Sequence, residues 1–136
     1  MTDASSIPES VAQVFDQFSP ADRSVLLAAR ALILRVASRD GRIGGVEETL
    51  KWGEPAYVPR AKNTGSTVRL GVEKITGSPA LFFNCKTTLV EEMREHFGAD
   101  LSFSKNRAVL LDAKGRANED ALEFGVASAL TYHLRK

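Results

Sequence analysis

The chain has 136 residues, 43% of them hydrophobic, enough for one domain whose core needs no disulfide or structural metal. Eighteen Lys and Arg against seventeen Asp and Glu leave a net charge of +1, which excludes a global electrostatic case for nucleic acid or an anionic membrane. The single cysteine, Cys85, excludes an internal disulfide, and no stretch approaches the ~20 apolar residues of a membrane span.

The opening "MTDASSIPES" lacks the positive start and apolar run of a signal peptide, so the expectation is a cytoplasmic protein. Residues 1–7 read as a flexible tail and 8–136 as a single domain, since neither an internal repeat nor a Pro/Ser-rich linker divides the chain. Pro8 fits a first helical turn, and Val11, Val14, Phe15 and Phe18 follow at helical spacing. Ser19 suits the N-cap of a second helix, with Pro20 at its first position and Asp22 near its positive end. Its main buried stripe is Val25, Ala29, Leu32, Ile33 and Val36, with Leu27 and Leu34 on another face. Gly41 stands where a C-terminal stop belongs, ending the helix near Asp40.

From there the period turns from helical to alternating. "VEETLKW" reads as a strand with Leu50 and Trp52 on one inner face, "GEP" as a turn, and "AYV" as a short strand; Pro55 and Pro59 suit an edge or a bend. In "TVRLGVEK", Val68, Leu70 and Val72 face one way and Thr67, Arg69, Gly71 and Glu73 the other. "ALFFNC" and "AVLL" are apolar on both faces and belong near the middle of a sheet. Between them Thr87 can cap a helix that Gly98 stops, and Asn118 can cap a last helix with the stripe Leu122, Val126, Ala129 and Leu130. The fold class is therefore α+β, a largely antiparallel sheet covered by helices in the order α-α-β-β-β-α-β-α.

Trp52 reads first as core packing, because a lone aromatic at strand spacing is usually buried. A functional reading uses the same region: Trp52, Pro55 and Tyr57 form a groove, and Lys51 and Arg69 offer charge to an anionic ligand. Residues 50–71 carry Lys51, Arg60, Lys62 and Arg69 against Glu54 alone, but four cations beside two aromatics are a thin footprint for nucleic acid, which ranks below a small ligand or a protein partner. The sequence does not speak to oligomeric state.

The run Lys51-Trp52-Gly53-x-Pro55-x-Tyr57, preceded by two helices and followed by strands and a C-terminal helix, resembles the YdhG-like family, a bacterial domain of unknown function. The resemblance covers about residues 8 to 134. It implies a small intracellular α+β domain without established catalytic machinery, some of whose members are described as frataxin-like iron chaperones; no family metal ligand transfers to a particular residue.

For iron, the weak candidates are Glu91, Glu92, Glu95 and His96, which offer hard oxygen and imidazole ligands at i, i+4 spacing on one helix. Solvation of a helix face explains the same charges, and Glu9 and Asp16 are the only acids between residues 4 and 18, so a frataxin-like acidic first helix is missing. Cys85 ends a strand and reads as a core thiol before a nucleophile. His96 and His133 have no spacing that makes a dyad with it, and His133 reads as lying on the buried side of the last helix. No nucleophile elbow, phosphate loop, dinucleotide fingerprint or paired-cysteine zinc motif is present. The sequence thus points to a non-enzymatic binding or carrier module without a cofactor, for a small ligand or protein partner, with iron chaperoning as the alternative.

Overall fold

A computed structural model describes residues 7–84, 86–98, 101–105, 107–111 and 119–134. Most of the expected tail, Cys85 and the Asn118 cap lie outside the described residues. The helices are α1 (Glu9–Gln17), α2 (Pro20–Arg39), α3 (Leu89–Phe97) and α4 (Glu119–Leu130). The strands are β1 (Val46–Lys51), β2 (Glu54–Pro59), β3 (Val68–Val72), β4 (Pro79–Phe82), β5 (Ser102–Ser104) and β6 (Ala108–Leu110). They form one antiparallel sheet in the order β1-β2-β3-β4-β6-β5. The expected α+β order holds, with four strands where three were expected before α3 and with β5 as a short added edge strand after it.

Ser19 caps α2, its Oγ accepting from the Asp22 N–H at 3.2 Å, with Pro20 at the first helical position; such a cap contributes about 1 kcal/mol. The buried stripe is Leu26, Ala29, Leu32, Ile33 and Val36, with Leu26 taking the place expected of Val25, which is half-buried. The helix stops at Arg39 and Gly41 follows the cap, but the left-handed residues of this turn are Gly44 and Gly45. In α3 the N-cap is Thr88, not Thr87, which instead donates its hydroxyl to the Asn84 carbonyl at 2.7 Å. In α4, Leu122, Val126, Ala129 and Leu130 are all buried as expected. His133 is exposed in a 3-10 turn beyond α4, because the helix ends at Leu130 before it can carry the ring inward.

Trp52 is not core. Lys51 pairs with Glu54, so the hairpin turns on Trp52 and Gly53 alone, and "GEP" contributes only its glycine to the turn. Nor is β2 an edge, since it pairs with both β1 and β3. Antiparallel pairs alternate in hydrogen bonding, so with Lys51 and Glu54 closing the turn, residues 55, 57 and 59 direct their backbone nitrogens toward β3. Pro55 and Pro59 have no N–H to give there, and the β2–β3 ladder is accordingly limited to Ala56–Arg69 and Tyr57–Val68.

The main core fills one face of the sheet. Tyr57, Val68, Leu70, Leu81 and Val109 meet Val11 and Phe15 of α1, Leu26 and Ile33 of α2, and Val126 and Leu130 of α4. Within this layer Arg30 of α2 is buried and grips Glu48 of β1 with two bonds, Nε to Oε2 at 2.5 Å and Nη2 to Oε1 at 2.9 Å. Tyr57 is fully buried and donates its hydroxyl to Glu48 Oε2 at 2.7 Å. Burial first, and the Glu48 carboxylate second, push the Tyr57 hydroxyl well above its ordinary value of 10.0.

Replacing Glu48 with Ala strands the buried Arg30 charge and should destabilise the fold by about 3–5 kcal/mol in urea unfolding. Alkali provides a separate test. Above pH ~10 the unfolded chain loses the Tyr57 proton while the folded chain keeps it, so stability is intact below that pH and falls above it. The wild type should lose about 1.4 kcal/mol per pH unit beyond the loss seen in Tyr57→Phe; parallel pH profiles of the two proteins would contradict this.

Candidate functional site

The other face of the sheet carries no helix residue in its cluster, which consists of Ala80, Phe82 and Ala108 with Leu110 against them. One row of paired residues crosses all six strands on this face: Thr49, Ala56, Arg69, Phe82, Ala108 and Ser104. Ala56, Ala80 and Ala108 are fully buried although no helix residue joins the cluster on this face among the described residues. Long side chains lie flat over small ones here. A Cβ placed on Gly71 would stand 2.3 Å from Glu54 Oε2, so the Glu54 side chain occupies the space above that glycine and ion-pairs with Arg69.

Two adjoining cavities of about 420 and 470 Å3 open on this face, and Trp52, Arg69 and Arg107 line both. Their walls run from the β1–β2 turn to the β5–β6 turn, so the surface is a concave groove. The first cavity adds Glu54, Glu73, Lys74, Ile75 and Lys105. The second adds Lys51, Thr67, Phe83 and Asn84, with no acid among its described lining residues. The Glu73 carboxylate accepts from the Thr76 N–H and hydroxyl at 2.9 and 2.8 Å and from the Ile75 N–H at 3.2 Å, and these bonds hold it below the usual carboxylate range.

Arg69 and Arg107 converge on one ring. Their Cζ atoms lie 5.4 and 5.7 Å from the Phe82 centroid, within the range of a cation–π contact. Glu54 neutralises Arg69, whereas Lys51 and Arg107 are exposed and their side chains make no ion pair with a described residue. The groove therefore holds positive charge in excess, next to an aromatic floor.

At the groove's rim, Trp52 is 89% exposed and adopts a φ of 57°, with Gly53 at 76°. Two left-handed central residues define a type I′ turn, which matches the twist of the strands and favours Asn or Gly. A tryptophan there costs about 1–2 kcal/mol in backbone strain and gains little from burial. Packing does not explain the residue, and its strained backbone makes this turn a candidate binding position. Ile75, 70% exposed on the β3–β4 turn, stands at the same groove.

Of the residues expected at the site, the structure brings Lys51, Trp52 and Arg69 together. Pro55 and Tyr57 point to the opposite, helix-covered face, because strand parity separates them from Glu54. Arg60 and Lys62 line neither cavity; they lie where the chain returns past Gly44 and Gly45. Arg107, Lys74 and Lys105 were not apparent from the sequence, although Phe82 could be placed beside Arg69 once the strands were in register. In α3, His96 packs edge-on against Phe124 at 5.6 Å, and Thr88 donates its hydroxyl to Glu92. Among the described residues no three His, Cys, Asp or Glu side chains are grouped to hold a metal ion, so Glu91, Glu92, Glu95 and His96 do not make one site. Among the same residues no helix is long and apolar enough to cross a membrane.

No protein-family model, curated protein or solved structure matches the chain.

If Trp52 is retained for a ligand and not for the fold, Trp52→Asn should raise unfolding stability by about 1 kcal/mol. A loss of stability on that substitution would show that the exposed ring supports the native hairpin after all.

Proposed function

We propose that the protein is a non-enzymatic binding module of the cytoplasm that takes a small anionic ligand in the concave face of its sheet. The observation that carries this reading is the exposed, backbone-strained Trp52 at the rim of a groove where Lys51, Arg69 and Arg107 gather, with Glu54 paired to Arg69. Both cavities fall within the size range of small-molecule sites. The groove contains no histidine to act as a general base: His96 lies on α3 and His133 beyond α4. The resemblance of the Lys51-to-Tyr57 run to the YdhG-like family points the same way, since it implies no established catalytic machinery.

Trp52 is the only tryptophan, so its emission reports on this groove alone. Titration with a panel of small carboxylates and phosphates should shift that emission saturably, and Arg69→Ala/Arg107→Ala should abolish the response while the protein remains folded. Native mass spectrometry of freshly purified protein should show a bound small mass. A flat response to every anion, with a clean unliganded mass, would overturn the reading.

A further inference from the structure

The division of charge along the groove identifies the class of anion. The cavity without an acid among its described lining residues presents Lys51, Arg69 and Arg107, with Thr67 and Asn84 beside them. Glu54 cancels one of these cations through Arg69, and two positive charges remain. A monoester phosphate at neutral pH carries about −1.5 to −2, whereas a carboxylate supplies only one negative charge. Arg107 offers a planar fork of donors suited to phosphate oxygens, and Lys51 a compact point charge. The threonine hydroxyl and asparagine amide can meet the remaining oxygens of a tetrahedral group.

The cavity has a second requirement. Trp52 borders it with an almost fully exposed indole, and an exposed ring beside a phosphate site is a stacking surface for another flat ring. Resting on the anion-binding reading above, we infer that the ligand is a phosphate monoester carrying a flat aromatic ring, its phosphate between Lys51 and Arg107 and its ring against Trp52. The adjoining cavity, which adds Glu54 and Glu73, would then meet the ring with mixed charge, leaving the phosphate in the cavity that has no described acid.

Calorimetric and fluorescence titrations of the full chain with adenosine 5′-monophosphate, phenyl phosphate, adenosine, inorganic phosphate and benzoate test this. The two aromatic phosphates should bind and perturb Trp52, and inorganic phosphate, adenosine and benzoate should each bind at least about tenfold more weakly. Comparing the first two separates nucleotides from simpler aryl phosphates as the source of the ring. Arg107→Gln should weaken both by about tenfold or more, as expected for loss of a charge-assisted contact; Arg107→Lys should restore part of the affinity, and Arg60→Gln, outside the groove, should leave it unchanged. Unchanged thermal melting of each variant would confirm that the losses are local. Benzoate binding as tightly as the aromatic phosphates would overturn this inference and leave the anion-binding function standing. Silence of every probe would overturn both.

Discussion

Arg30 sits in the middle of α2 with its guanidinium out of water, and a buried cation of this kind has to be matched where it lies. Glu48 meets it with both carboxylate oxygens, and the Tyr57 hydroxyl takes up a further position on the same carboxylate. The triad is less a source of net stability than a constraint on register. Shifting β1 by one residue would turn Glu48 to the open face, leave Arg30 without its partner and carry Val46 and Leu50 out of the core. Because Glu48 and Tyr57 must face α2, Lys51 and Glu54 must face the other way. The chemistry of the groove is therefore set from the opposite side of the sheet.

The two faces of the sheet are built by different rules. The helix-covered face is filled with large side chains in contact with one another, as a close-packed interior requires. On the open face the backbone carries Ala56, Gly71, Ala80 and Ala108, and the long side chains of Glu54 and Arg69 are laid across them. Small residues make the floor low, and the ion pair and the two guanidiniums over Phe82 shield it from water without closing it. That is how a sheet face that no described helix covers keeps apolar atoms protected and still presents a charged concavity.

Much of the fold was legible in the sequence because its signals are local. The Ser19-Pro20-Asp22 start of α2, the stripe of α4 and the alternation of Val68 and Leu70 each depend on neighbours a few residues apart. The site was legible only in part. Lys51 and Arg69 were found because they lie in one basic stretch, but Arg107 reaches the groove through a pairing of β4 with β6 that no short-range pattern encodes. Trp52 was read as core since aromatics usually are, and that weight hid the other signal in the same dipeptide, a glycine second in a two-residue turn. Tyr57 was assigned to the groove on the strength of its closeness in sequence to Trp52, although the strand places its ring on the far face. The run Lys51-Trp52-Gly53-Glu54-Pro55-x-Tyr57 thus distributes its side chains among a groove wall, a turn, an ion pair, a ladder stop and a buried anchor.

The ladder stop has a mechanical side. With Pro55 and Pro59 both withholding a donor, the first hairpin is stitched to the remaining four strands along a seam only two residue pairs long. Its own two strands are paired along six positions, and α1 and the Arg30 clasp on Glu48 hold them from beneath, so the hairpin is fixed more by the helices under it than by its neighbour in the sheet. Trp52 stands in the turn at the end of that hairpin, clear of these anchors. The rim of the groove at Trp52 is thereby held from the helix-covered side of the sheet, and its floor by Phe82 and the alanines around it.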